Sequence, residues 1–302
     1  MFKEITAAAL SFKPEKFAVE NNAGRLEQAF HDAADGGAEL AVAPEGILEG
    51  YVVNEIISGE VPAGRMNDVA LSLRSPVIGR FRSLARDRKI CLAFGLAEKI
   101  KGDVYNCAIF IDQTGRIRGK YHKMQLAEGY HHTWWFNRLG KNSRAFDTPF
   151  GKCGFLICND RWNDDIARIP VLDGARFLLI PSFGDRSKAQ DKAVLCRARE
   201  NGVPIVEANV GVTLIISKGE VVSVSRKTDG MVFGDIAIPV EPTERNRDQH
   251  ERNFLKWRKQ EMPKRYNGRV KHVNAANKAG KPTRNTKVRH DSKGRLVAEM
   301  VR

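Results

Sequence analysis

Residues 154–165 read GFLICNDRWNDD. A mostly apolar run ends at Ile157, Cys158 follows, and the chain then turns polar through Asn159, Asp160 and Arg161. Such a run reads as a buried strand that ends on a thiol and hands over to a charged loop. Cys158 is then either a small core residue at a strand end or a nucleophile, and the second reading requires a base or cation close enough to deprotonate it.

Working outward, the same alternation of apolar strands and amphipathic helices fills residues 1 to about 240. Strands are expected at EITAAALSF (4–12), AELAVAPEG (38–46, stopped by Pro44), KICLAFGLAE (89–98) and YNCAIFIDQTGRIRGKYH (105–122, with a turn near Gly115). CGFLIC, RFLLIP, VPIVEAN, VTLIIS, EVVSVS and MVFGDIAIP continue the series. Helices are expected over 21–37, with Leu26, Ala29, Phe30, Ala33 and Ala34 on one face, over 76–88 behind Pro76, and over 164–173 and 187–201. Strands separated by helices, with strand-turn-strand pairs late in the chain, predict α/β layering with some antiparallel pairing.

Composition bounds the class. The 302 residues are 42% hydrophobic, so a sizeable core can be buried. No run of 18 apolar residues is present, which argues against a membrane-spanning helix, and the N-terminus reads as a first strand rather than a signal peptide. Five cysteines, three of them in strand-like runs, argue against a disulfide framework and for a reducing, cytoplasmic setting. The net charge of +14 is uneven: residues 241–302 hold 18 Lys and Arg against 7 Asp and Glu, or +11, which leaves +3 for the first 240. The chain therefore divides into a domain over 1–240 and a basic extension over 241–302, in which a short helix near 244–260 is expected and the remainder reads as extended or disordered when isolated.

Besides Cys158, two positions combine a reactive group with a strand end. Glu45 follows an apolar strand and a proline; against an apolar wall its carboxylate would act as a general base, whereas in a solvated loop it does nothing. Lys123, in RGKYHKMQL, is drawn inward if Tyr121 and Leu126 pack; buried, its ammonium would stabilise an oxyanion, and otherwise it belongs to a surface basic cluster. The seven histidines show no metal-ligand spacing with Cys or carboxylates, and no GxxxxGK[ST] loop is present, so neither metal nor cofactor is expected.

Taken together, Pro-Glu after a strand, Tyr-x-Lys-x-x-Leu, and a Cys at the end of an apolar strand resemble the carbon–nitrogen hydrolase (nitrilase) superfamily, in that order and with matching intervals. The flanking segments agree over nearly all of residues 1–240. The resemblance implies a four-layer α-β-β-α sandwich and a Glu45–Lys123–Cys158 triad, with Glu45 as base, Cys158 as nucleophile and Lys123 on the oxyanion. It also implies that Glu128, in MQLAEGYHH, orients the substrate, unless it is an exposed loop Glu. The sequence departs from the family at Gln125, where many members have His, and in a shortened segment after Asn209.

ICNDRW resembles the N-carbamoyl-D-amino-acid amidohydrolase branch. It suggests Arg161 as a bidentate ligand of a substrate carboxylate, or alternatively as a structural partner of Asp160, Asp164 or Asp165. Tyr51, Asn159 and Trp134, the last within the aromatic run 130–136, complete the candidate substrate-binding set; that run equally suits a core or subunit contact. The expected substrate is a small amide or N-carbamoyl compound, cleaved with release of ammonia, with nitrile hydrolysis or acyl transfer as alternatives. The resemblance implies a homodimer or higher homo-oligomer with the extension wrapped over a partner. A rival reading makes the chain a nucleic-acid-binding protein, with tail charge and Phe254, Trp257 and Tyr266 as stacking groups.

Overall fold

A computed structural model describes residues 2–58, 60–132, 136, 138–184, 186–240, 247–278, 286–290 and 296–300. The first half runs β1 (Phe2–Ser11), α1 (Val19–Asp35), β2 (Leu40–Val42), α2 (Val53–Ile57), α3 (Met66–Val69), α4 (Pro76–Arg88), β3 (Cys91–Ile100), β4 (Asp103–Ile111) and β5 (Ile117–His122). The second runs β6 (Phe146–Thr148), β7 (Gly151–Phe155), α5 (Asp164–Leu172), β8 (Phe177–Ser182), α6 (Lys188–Asn201), β9 (Ile205–Asn209), β10 (Val212–Ser217), β11 (Glu220–Ser225) and β12 (Gly230–Pro239). Beyond these lie α7 (Arg247–Lys278) and the hairpin β13 (Thr286–His290) and β14 (Leu296–Met300).

Two six-stranded sheets face each other, in the orders β12-β1-β2-β3-β4-β5 and β11-β10-β9-β8-β7-β6. Each has three parallel strands at its centre, β1-β2-β3 and β7-β8-β9, flanked by antiparallel pairs. Strand periodicity shows how the layers stack. On β1, Ile5, Ala7 and Ala9 enter the core between the sheets, while Ala8 and Leu10 face α1 and α4 on the outside. Strands buried on both faces read as continuous apolar runs, which is why these segments are legible in the sequence. Phe30 of α1, Phe81 of α4 and Phe94 of β3 pack edge-on or tilted, with ring centroids 4.9–6.0 Å apart. With α5 and α6 outside the second sheet, the architecture is the expected four-layer α-β-β-α sandwich.

Helix ends follow local chemistry. Ser75 accepts the Ile78 N–H ahead of Pro76, Asn163 caps α5 through the Ile166 N–H, and Ser187 caps α6 through the Gln190 N–H.

Two expectations are corrected. The strand before Cys158 stops at Phe155, and Cys158 opens a 3-10 turn, Cys158–Trp162. The C-terminal helix is longer than 244–260, running to Lys278 through Pro263 even though that proline has no N–H to give. Among the described side chains of this helix Phe254, Met262 and Tyr266 are buried, and Leu255 and Trp257 are partly buried, a sparse apolar pattern for so long an element. Phe254 is buried in the cluster that includes α5, with Trp257 partly buried against it, and Tyr266 is buried in the cluster around Tyr51, so the rings of Phe254 and Tyr266 are not presented for base stacking. Among the described residues no helix is long and apolar enough to cross a membrane.

Candidate active site

Glu45 lies just past β2, in a loop stitched to both sheets. Ala43 N–H bonds Ala93 O (2.8 Å), Gly95 N–H bonds Pro44 O (3.1 Å), and Glu45 N–H bonds Ser182 O of the opposite sheet (3.3 Å). The loop can lie this close to β3 because residue 95 is glycine: a Cβ there would sit 2.6 Å from Glu45 Cα. Lys123 directly follows β5 and is fixed by its N–H to Asn106 O (2.8 Å). Both side chains are fully buried. Lys123 Nζ donates to Glu45 Oε1 at 2.7 Å, and Asn106 Nδ2 donates to the same oxygen at 2.6 Å. Glu45 Oε2 is buried and has no hydrogen-bond partner among the described residues. Burial pulls the Lys123 ammonium down, but Glu45, then Cys158 and Glu128, outweigh it and hold the group above its ordinary value.

Cys158 faces this pair from the second sheet. Its φ of 46° is left-handed, an unfavourable conformation for a residue with a side chain. The turn holds it there. Asp160 Oδ2 accepts the Ile157 N–H (2.9 Å) and the Tyr121 hydroxyl (2.8 Å), and Tyr121 Oη in turn accepts the Met124 N–H (3.2 Å). The loop that carries Lys123 and the turn that carries Cys158 are thus joined through one phenol. Burial pushes the Asp160 carboxyl up to about 6, with Lys123 opposing. Burial and the Glu45 charge push the Cys158 thiol up; Arg161 and Lys123 pull it down. The thiol Sγ lies 3.5 Å from Phe183 O.

Glu128 is also buried, and Tyr51 Oη donates to its Oε1 at 3.4 Å. Tyr51 stacks on Phe183 at 4.4 Å and is held by Lys16 Nζ on its carbonyl (2.9 Å). The Glu128 loop rests on the C-terminal helix: a Cβ on Gly129 would fall 2.3 Å from Tyr266 N, and the His131 ring stacks on Tyr266 at 4.8 Å.

Arg161 is buried, but its carboxylate partner is none of the aspartates beside it. Nη1 pairs with Glu207, Nε bonds Cys158 O at 2.7 Å, and Nη2 reaches Cys158 Sγ at 3.3 Å and Ser182 Oγ at 3.1 Å. Asn159 is half-buried; its carbonyl accepts Gln125 Nε2 at 3.2 Å, so Gln125 braces the nucleophile turn. Trp134 lies outside the described residues. Sequence reasoning brought Glu45, Lys123, Cys158, Glu128 and Tyr51 to one place and missed Asn106, Tyr121 as a bridge, and Glu207. Asn106 and Glu207 did leave a signal, each a polar residue inside an otherwise largely apolar strand. β9 and β10 are joined by Val210 and Gly211 alone, which is the shortened segment after Asn209.

Away from this site, Glu98, Cys107 and His122 place possible ligand atoms within 4.8 Å of one another. Lys120 Nζ already sits 3.0 Å from Glu98 and His122 bonds the other Glu98 oxygen, so the carboxylate has its counter-charge from the protein.

Comparison with known proteins gives one consistent picture. The family model for carbon-nitrogen hydrolase matches residues 6–241. The chain is 28% identical over 182 residues to a citrullinase of Francisella tularensis, covering 59% of this chain and 60% of that protein. It is 28% identical over 217 residues to an N-carbamoylputrescine amidase of Solanum tuberosum, covering 68% and 70%. A crystal structure of an amidase from Nesterenkonia sp. superposes with a TM-score of 0.66 at 22% identity, covering 83% of this chain and 96% of the other.

Proposed function

The chain belongs to the carbon–nitrogen hydrolase family, and from that premise we propose that it hydrolyses the terminal amide or carbamoyl group of a small molecule, with Cys158 as nucleophile and ammonia as product. The two relatives named above carry citrulline and N-carbamoylputrescine in their names. Both compounds end in a ureido group on an alkyl chain, and a terminal ureido group is our preferred substrate class.

The observation that carries the reading is the unequal use of the Glu45 carboxylate. Oε1 is held by Lys123 and Asn106, while Oε2 is buried and has no partner among the described residues, with lone pairs available for a proton. In the proposed cycle Glu45 Oε2 takes the Sγ proton and the thiolate adds to the carbonyl carbon. The new oxyanion lies against the Lys123 ammonium, a preorganised charge in a site shielded from water. Glu45 returns the proton to the departing nitrogen and ammonia leaves a thioester. Water then gives a proton to Glu45 and attacks the same carbon; collapse frees the acid and restores the thiol. A carbamoyl substrate passes through the thiocarbamate and ends as a carbamate, which loses carbon dioxide. Glu128, oriented by Tyr51, accepts the substrate N–H.

Arg161 does not serve as the carboxylate clamp in this proposal, because its guanidinium nitrogens are bonded within the protein. A carboxylate beside the carbamoyl group is therefore no requirement. The test is ammonia release from a panel of ureido compounds, aliphatic amides and nitriles. Ureido compounds are expected to lead, and Cys158→Ala is expected to be silent; persistent release by that variant ends the thiol mechanism.

A further inference from the structure

Glu207, Gln190 and Ser182 are buried polar residues that take no part in the cycle above; Glu207 and Ser182 bond Arg161, and Gln190 bonds Glu207. Glu207 Oε1 accepts from Arg161 and from Ser182 Oγ (2.9 Å), and Oε2 accepts from Gln190 Nε2 (2.8 Å). β8 and β9 thus each contribute one residue that clamps a guanidinium 1% exposed, and Gln190 of α6 holds the far oxygen of Glu207. The other edge of that guanidinium spans the nucleophile turn, reaching the carbonyl of Cys158 at 2.7 Å and its sulfur at 3.3 Å. A planar five-donor fork suits these divergent acceptors, and an ammonium has no such fork. A buried ion pair is costly in desolvation and a poor device for stability alone. This one is built where a residue with positive φ must be held and a thiol must ionise.

We propose that Arg161, locked by Glu207, is a positioning residue that holds Cys158 in its strained turn and keeps a fixed positive charge against the sulfur. The proposal rests on the reading of Cys158 as nucleophile. Among the described residues, the titratable and charged groups facing the thiol are Glu45, Lys123, Tyr51 and Arg161, with Glu207 behind Arg161. Burial and Glu45 push the thiol up; Arg161 and Lys123 oppose. Each flanking charge therefore has a predictable sign. Neutralising Arg161 makes the thiolate harder to form. Neutralising Glu207 while keeping its hydrogen bonds leaves the guanidinium less compensated and makes the thiolate easier to form.

The experiment is alkylation of the full-length protein by iodoacetamide from pH 5 to 10. The Cys158 peptide is followed by mass spectrometry, and exposed Cys196 serves as internal control. Arg161→Gln is expected to raise the Cys158 midpoint by about one pH unit or more, which slows alkylation at pH 7 about tenfold. Glu207→Gln is expected to move it the other way, and Arg161→Lys to fall between wild type and Arg161→Gln. Opposite shifts are not the signature of simple loosening. A folded Arg161→Gln with the wild-type midpoint overturns the proposal, as does a Glu207→Gln shift in the same direction as Arg161→Gln. Should Arg161→Gln not fold, Arg161→Lys and Glu207→Gln decide: wild-type midpoints in both reject the role. Ammonia release by Cys158→Ala tests the nucleophile separately, since alkylation midpoints do not depend on turnover.

Discussion

Two buried ion pairs flank Cys158, one built on each sheet, and they differ in how much of their carboxylate is used. Glu207 has both oxygens occupied, by Arg161 and Ser182 on one and Gln190 on the other. Glu45 has Lys123 and Asn106 on one oxygen and, among the described residues, nothing on the other. A saturated carboxylate can only hold; a half-used one can also accept a proton. The chemical role of a buried acid is read from its spare lone pairs more than from its burial, which the two share.

The comparison breaks most visibly at Glu45. Glu45→Gln keeps a carbonyl oxygen for Lys123 but loses the base, and kcat for ammonia release is expected to fall about 10³-fold, or about 4 kcal/mol in barrier. If turnover survives, Oε2 is not the proton acceptor. Glu207→Ala is expected to act on stability. It strands a guanidinium in the core and lowers the unfolding free energy by about 3 kcal/mol in urea titrations, with Glu207→Gln much milder.

A third buried carboxylate sharpens the contrast. Glu49 Oε2 is answered by the Ala97 N–H (3.0 Å) rather than a directly paired cation, and burial pushes its carboxyl up to about 7. An acid whose folded pKa exceeds its unfolded value of 4.5 binds more protons in the folded state across that window, so stability falls as pH rises from about 4.5 to 7. Asp160 adds the same sign between 3.8 and about 6. Glu49→Gln is therefore expected to raise stability at pH 8 by up to about 3 kcal/mol and to change little at pH 4.5, as melting curves at the two pH values would show. The smallest effect belongs to the bridge between the halves. Tyr121→Phe deletes the hydroxyl shared by Asp160 and Met124 and is expected to cost about 1 kcal/mol in stability.

Most of the sandwich was legible because its strands are buried on both faces and its helices carry ordinary caps, with α4 falling on residues 76–88 as expected. The candidate site was legible where motif residues end strands, as Glu45 and Lys123 do. Partners reached across the fold were not. That Arg161 would choose Glu207, 46 residues away, over the adjacent aspartates is decided by β9 lying beneath the turn. The C-terminal helix is legible as a short element near 244–260 but not to its full length, because its apolar residues are sparse and Pro263 interrupts it. Hydrophobicity continues to Ile157, so the sequence reads as a strand up to Cys158, although the ladder stops at Phe155.

The pairing of β1 with β12 sets residue 2 opposite residue 239, with eight further partners on to Ser11 and Gly230 between the ends of a ten-residue ladder. At translation rates of about 5–20 residues per second, β1 waits roughly ten to fifty seconds for this neighbour. In that interval it is an open edge, prone to pair with other chains. Yield from cells should accordingly respond to synthesis speed and chaperone supply before it responds to any substitution near the thiol.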